Sequence, residues 1–403
     1  RVMGLMSPQD ALDRLLAEVS PVETDRVDAA GALGRVLAET ITADRDSPAC
    51  DVSAMDGYAV RSAELGASSY PVAAEAWAGQ APPVVDAAGV AVRIATGAPL
   101  PAGFDTVIRR EAVDEGESAI EIKVDAQAPS PGDHVRLKGE NVRAGREVVP
   151  ASQRLTPASL VAAATFGRAE LVVRRRVRVA VVNTGDEVED VAGDPPPWRL
   201  RDGNGPFLRA WLDAQPHVER LESRRVGDDL DQTAGALADA LGQTDLVLTT
   251  GGVSMGDRDF VPEAFTRCGG RAVYHGLAMR PGKPNFAGVH PRGAVLMGLP
   301  GNPVSVMCAA VRLAAPVLRR LSGDAVVEPC AGLVAVEPEP GPGAKTLPLW
   351  WYRPFLRSAD GAARLLETRG SGDVAALSRA DGFVEVPPGQ EASSEPRRWW
   401  GWA

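Results

Sequence analysis

Four short stretches of this chain combine glycine, hydroxyl and charged residues in patterns that suit an anionic ligand. In "NTGDE", Thr184 and Gly185 let backbone amides approach a phosphate, and Asp186 and Glu187 could hold a divalent metal or a water. In "TTGGVSMGDRD", adjacent glycines Gly251 and Gly252 sit among the hydroxyls of Thr249, Thr250 and Ser254 and the acids Asp257 and Asp259. That combination is a nest for an anion with metal-binding carboxylates beside it. "MRPGKP" offers Arg280 and Lys283 on a turn stiffened by proline, and "LPGNPVS" opens a helix whose first amides and Ser305 suit an oxyanion. A fifth stretch, "SAMDGYAV", wedges Asp56 between Met55 and Gly57. A charge there is poorly placed for an exposed ion pair, and a buried acid without a role is costly, although an acid before glycine also commonly caps a turn.

None of the loops has the spacing of a P-loop or of a G-x-G-x-x-G dinucleotide fingerprint. "GVSMG" matches G-x-S-x-G around Ser254, but the downstream histidines, His275 and His290, have no obvious orienting acid, so a hydrolase elbow is not expected.

The elements that must position these loops follow from periodicity. Every one of the four lies at the end of a run that reads as a strand between residues 174 and 325, where "RRRVRVAVV", "DLVLTT" and "GAVLMG" alternate with helices such as "GPFLRAWLDA", "DLDQTAGALADAL" and "PVSVMCAAVRLAAPVLRRL". This predicts a doubly wound α/β domain, which binds ligands beyond the carboxyl ends of its strands. A first helix is expected at "SPQDALDRLLAEV", capped by Ser7, with Pro8 at the first helical position and Leu12, Leu15, Leu16 and Val19 on its core face. Residues 46–143 read as a β-rich domain and 326–403 as a small C-terminal β-barrel-like domain, with a short helical turn near "ALSRADG". Residues 7–45 and 144–173 form a discontinuous mixed α/β linking domain that includes the helix "RLTPASLVAAATFG". The fold class expected is therefore multidomain α/β plus β.

The 403 residues carry 53 acids against 43 Lys and Arg, a formal charge of −10, which argues against a sequence-independent nucleic-acid binder or a membrane-surface protein. No apolar run approaches the roughly 18 residues of a membrane span, and no signal-peptide layout is present. The chain opens on Arg1, so an altered N-terminus is expected. Cys50, Cys268, Cys308 and Cys330 are far apart and the four histidines are scattered, which suggests neither a disulfide framework nor a zinc site and fits a reducing cytoplasm.

"SAMDGYAV", "RIATGAPLPAGFDTVI", "TGDEV", "TTGGVSMGDRDF", "MRPGKP" and "LPGNPVS", in this order, closely resemble the molybdopterin molybdenumtransferase family, which includes MoeA proteins, the plant molybdenum-insertion domain and the gephyrin C-terminal domain. The resemblance runs over about residues 7 to 390. It implies insertion of molybdate into adenylylated molybdopterin with release of AMP, in a Mg²⁺-dependent reaction that forms molybdenum cofactor. It implies a cytoplasmic homodimer with a shared active site, a molybdopterin adenylyltransferase and apo-molybdoenzymes as candidate partners, and neither nucleic acid nor membrane. Carried over by position, Asp56, Thr96, Glu187 and Asp259 are the catalytic residues. Thr184, Gly185, Thr250, Gly251, Gly252, Ser254, Arg280, Lys283, Pro284, Ser305, Arg353 and Ser371 bind cofactor and molybdate, Arg353 and Ser371 on a looser match, and Asp186, Glu187, Asp257 and Asp259 hold metal.

The chain departs from the family pattern at Asn141, where an aspartate is usual, and at Asn183, where a serine is usual. Arg109 and Arg110 stand where neutral residues are common, and are read either as a basic surface toward an anionic pterin or as a solvated strand edge. The tail "PRRWWGWA" has no placed counterpart, and its tryptophans suggest packing or association. Two alternatives accompany the transferase reading: a non-catalytic scaffold paralogue that binds molybdopterin or molybdate, which Asn141 favours, and a nucleotide-cleaving enzyme on the same α/β domain.

Overall fold

The computed structural model describes residues 5–328, 330–338 and 345–402, and divides into two compact units. One comprises Arg1–Glu39, Ala151–Leu160 and Ala169–Ala403; the other comprises Thr40–Pro150 and Val161–Arg168. No described helix is long and apolar enough to cross a membrane.

The larger unit is built on a seven-stranded sheet whose central strand, Val177–Thr184, pairs in parallel with Val218–Arg220, Arg224–Val226 and Leu246–Thr250. Val295–Leu299 continues the parallel run, but Phe286–Val289 and Arg271–His275 then add antiparallel strands, a mixed edge that the alternating pattern did not foretell. The central strand is apolar on both sides. Val177, Val179 and Val181 pack under Leu208, Trp211 and the helix after Leu299, while Val182 packs with Leu237, Leu241 and Phe265 from the helices Leu230–Leu241 and Val261–Arg267. Helices thus cover both faces, as a doubly wound sheet requires. The first helix, Pro8–Ala17, is capped by Ser7 and buries Ala11, Leu12 and Leu15 in the same core.

The run from Pro303 to Leu321 is expected to be a single long helix, and instead passes through a π turn at Ala310–Ala314. Pro316 explains the interruption, since it has no N–H to offer the turn before it. Arg312 on that turn is buried and donates to Glu385 Oε2 at 2.8 Å and to Gln9 Oε1 at 2.6 Å. Tyr352 donates to the same Glu385 oxygen at 2.8 Å. This buried network ties the first helix, the interrupted helix and the C-terminal strands together.

Those C-terminal strands run in the order Met279–Arg280, Trp350–Arg357, Gly382–Val386, Arg397–Gly401, Gly332–Val334, with Ala363–Leu365 on the other edge of Trp350–Arg357. The pairing of Val336 with Ala363 closes the sheet on itself, around Val334, Phe355, Val384 and Val386. Alternate residues face outward: Tyr352, Phe383 and Trp400 join the α/β core. The tryptophan-rich tail packs within the chain, Trp400 stacking on Phe383 with centroids 5.5 Å apart and Trp402 donating to Ala380 O at 2.6 Å. One expectation needs correction: Met279–Arg280, which leads into "RPGKP", is a strand of this barrel sheet and not of the α/β sheet.

The smaller unit holds a six-stranded sheet in the order Thr106–Arg109, Gly57–Val60, Ala91–Ile94, Ser69–Ala76, Ala119–Ile122, Val113–Glu115. Gly57 pairs with Arg109 so closely that a Cβ would strike the backbone carbonyl of Ile108, which is why glycine must follow Asp56.

Candidate active site

At the carboxyl end of the parallel strands, Thr184 and the segments after Val226 and Thr250 line a small cleft, with Gly227, Asp228, Thr233, Gly252, Arg258, Phe260 and Val261 around it. Gly185, Gly251 and Gly252 have positive φ, so the backbone turns sharply there, and a Cβ at Gly251 or Gly252 would press on the Thr184 hydroxyl. Thr184 Oγ1 donates to Thr250 O at 3.2 Å, binding the first loop to the second. Asp186 Oδ1 accepts from Asp228 N at 3.1 Å, and Arg258 stands 3.7 Å from Asp186 Oδ2. Asp228 is a site residue that the sequence reading missed; its signal was the "VGDD" after a short strand, a strand end like the others.

Four acids are expected to share a metal, and the structure does not gather them. Among the described residues, no three acid, His or Cys side chains converge. Asp186 turns to Asp228 and Arg258, Asp259 Oδ2 accepts from Gly256 N at 2.8 Å, and Glu187 and Asp257 are not drawn to either. Ser254 is exposed in the loop, His275 Nε2 lies 2.9 Å from Val253 O, and His290 Nε2 lies 3.0 Å from Cys268 O. Each histidine thus bonds a backbone carbonyl and not the serine hydroxyl.

Arg280 and Lys283 are exposed, with no acid within ion-pair distance among the described residues, and Pro284 completes their turn. Asn285 donates to Gly282 O, and Leu277 N to Lys283 O at 2.9 Å, so the turn is held from inside. Ser305 is buried in the first turn of the helix that begins at Pro303. Not all of that helix start is open to a ligand, because Val304 N donates to Ser371 O at 3.1 Å; Ser371 is thereby brought to "LPGNPVS". Arg353 is not brought to the cleft. It lies on the strand face opposite Tyr352, turned with Phe355 toward the barrel interior, and its guanidinium stacks 4.2 Å from the centre of the Trp351 ring.

In the smaller unit Asp56 is exposed rather than buried, which corrects the sequence expectation. Its Oδ1 accepts from Thr96 N at 2.7 Å and from Thr96 Oγ1 at 2.9 Å. Those bonds, and more weakly the charge of Arg110, hold its carboxyl below the usual carboxylate range. Arg110 forms a two-point pair with Glu115 at 2.8 and 3.1 Å, a structural use, while Arg109 is exposed. Asn141 Oδ1 accepts from Arg136 Nη2 at 2.8 Å, and Arg136 Nε donates to Glu140 at 2.6 Å.

Fold and cleft together define a multidomain α/β protein with strand-rich domains, whose cleft lies at the carboxyl edge of the α/β sheet. Residues 6–167 match the MoeA N-terminal region (domain I and II), and residues 180–320 match a probable molybdopterin binding domain. The chain is 36% identical over 333 residues to the molybdopterin molybdenumtransferase of Synechococcus elongatus, covering 78% of this chain and 80% of that one. It is 33% identical over 322 residues to the protein of the same name from Haemophilus influenzae, covering 79% and 78%. The crystal structure of the molybdopterin biosynthesis MoeA protein of Pyrococcus horikosii superposes with a TM-score of 0.80 at 26% identity, covering 99% of this chain and 100% of that one. This chain belongs to the MoeA family of molybdopterin molybdenumtransferases.

Proposed function

We propose that this protein inserts molybdate into adenylylated molybdopterin and releases AMP, forming molybdenum cofactor. The observation that carries the reading is the sheet-end cleft: Thr184 and Gly252 line its floor, and Gly185 and Gly251, both at positive φ, flank them in the chain. Such a floor suits the pyrophosphate of the pterin adenylate. Arg280 and Lys283 supply the exposed positive charge that a compact dianion such as molybdate requires. Asp56, fixed in its ionised form by Thr96, and Glu187 and Asp259 are the carboxylates that would take or place protons during pyrophosphate cleavage.

Mg²⁺ fits the donor set in a restricted way. Asp186 and Asp228 sit on adjacent loops, each carboxylate facing the other's backbone N–H, so they would supply one or two carboxylate ligands while waters and substrate phosphates complete the shell. When bound it would neutralise charge on the phosphates. The chain's own residues bind and orient the rest: Arg258 stays paired with Asp186, and the Thr184 hydroxyl keeps the first loop on the second. The homodimer implied by the family is part of this proposal and is read by sedimentation equilibrium.

The test is AMP release from adenylylated molybdopterin and Mg²⁺, with and without molybdate. Molybdate-dependent release is expected from the parent, with Asp56→Asn lowering it by about 10² to 10⁴ in rate. The non-catalytic reading rests on Asn141, whose amide is committed to Arg136 and brings no charge. Binding of molybdate without AMP release, with release restored by Asn141→Asp, would replace the transferase reading with that one.

A further inference from the structure

The loops around the cleft are joined by one run of side-chain hydrogen bonds centred on a residue that touches no proposed ligand. Asn183, 4% exposed, sits beside Thr184 at the end of the central strand. Its Oδ1 accepts from Thr250 Oγ1 at 3.1 Å and its Nδ2 donates to Asp202 Oδ2 at 2.9 Å. Asp202 Oδ1 accepts from Gly205 N at 2.7 Å and fixes the start of the helix Asn204–Asp213. From that start Asn204 Nδ2 donates to Gly301 O at 2.7 Å. The run therefore passes from Thr250 at the end of Leu246–Thr250, through Asn183 near the end of Val177–Thr184 and Asp202 in the segment that follows it, to the loop after Val295–Leu299. A Cβ on Gly205 would fall against Asp202 and within 2.7 Å of Asn183 Nδ2, so the space is filled.

The chemistry of the middle link is specific. A carboxamide accepts at one end and donates at the other without charge; a carboxylate cannot donate, and a hydroxyl is too short to span both partners. We infer that Asn183 is a positioning residue, holding the three anion-facing loops in one mutual geometry so that its loss lowers turnover without unfolding the domain. This rests on the reading that these loops seat the pterin adenylate. Pairs that act through a shared bond are recognised by non-additivity, and here an exchange of partners is available.

The experiment compares the full-length parent with Asn183→Asp, Asp202→Asn and the double exchange N183D/D202N. It reads kcat and KM for molybdate-dependent AMP release, and amide hydrogen exchange of segments 184–190, 250–259 and 300–305. Asn183→Asp sets two carboxylates against each other at the 2.9 Å contact, with no rotation that relieves them. It is expected to lower kcat by about 100-fold, KM changing little, and to speed exchange in all three segments together. Asp202→Asn is expected to be milder, since the Asn183 amide can flip. In the double exchange the carboxamide at position 202 donates to the carboxylate at position 183, and every bond of the run is made again. There kcat is expected within about fivefold of the parent, with protection restored in all three segments. Additive losses in the double exchange, or faster exchange confined to one segment, would overturn the inference while leaving the transferase reading intact. A parent that releases no AMP, yet shows the coupled loss and recovery of protection, would remove the functional reading and leave the coupling of the loops standing.

Discussion

The Asp56 turn and the sheet-end cleft present acids to solvent on opposite plans. Asp56 draws both of its hydrogen bonds from one residue, Thr96, and its backbone carbonyl accepts from Arg110 N at 3.1 Å, so everything that fixes it lies in one small sheet. In the cleft Asp186 depends on the Gly227–Asp228 loop and on Arg258, and Asn183 depends on residues 19 and 67 positions away. A locally held charge is lost only by disturbing its own small sheet. A collectively held one fails with any member of the set.

The largest expected effect is at the strand that follows Asp56. Gly57→Ala places a Cβ on the Ile108 carbonyl, which is backbone and cannot turn aside, so the pairing with Arg109 must separate. The expected cost is about 4 kcal/mol or more, with loss of the Thr40–Pro150 unit's thermal transition. A variant that melts with the parent would show that this strand pairing can give, and that Asp56 is less firmly placed than its two bonds suggest.

A second prediction follows from charge held collectively but away from the cleft. His217 is 3% exposed, its Nδ1 lies 2.6 Å from Arg154 Nη1, and Arg154 also pairs with Asp324 at 2.9 Å. Burial first, then the charges of Arg154 and Arg319, lower its pKa to about 3. The native ring therefore stays neutral over a range in which the unfolded chain, with a pKa near 6.5, takes up a proton. Stability is complete above about pH 6.5 and declines as pH falls toward about 3, with a slope near 1.4 kcal/mol per unit from this group. Urea melts between about pH 7 and 4 are expected to show that slope in the parent and a flatter one in His217→Gln. Equal slopes would mean that the ring is protonated in the folded protein.

These contrasts also mark what could be read from the letters. Ser7 as a cap, the glycine turns after apolar strands and the acid before Gly57 are local chemistry, written within a few residues, and they were legible. Asp228 and the Asn183–Asp202 pair were not, because their partners arrive from other strands. The π turn needed Pro316 to be weighed against a strong helical pattern. The placement of "MRPGKP" failed because two residues, Met279 and Arg280, carry no sign of which sheet they will join. Arg353 failed for a related reason: on a two-sided strand, one step of register decides which face a side chain takes, and only the closed barrel fixes that step.

That last failure yields the prediction with the smallest effect on activity. The resemblance places Lys283 and, on a looser match, Arg353 among the residues that bind cofactor and molybdate, and the structure gives them different surroundings: Lys283 is exposed on its turn, whereas Arg353 is 8% exposed and stacked on Trp351. A stacked, largely desolvated guanidinium contributes roughly 1–2 kcal/mol to its own neighbourhood, and its long stem packs as well. Arg353→Met keeps the stem and removes the charge. It is expected to leave kcat and the KM for molybdate within about twofold while lowering the melting temperature by a few degrees. Lys283→Gln is expected to do the reverse, raising the KM for molybdate about tenfold or more at an unchanged melting temperature, because an exposed cation adds little to stability and much to dianion binding. If Arg353→Met raised that KM as strongly as Lys283→Gln, the barrel-facing orientation would not be the one that functions, and the strand Trp350–Arg357 would have to present its other face to the ligand.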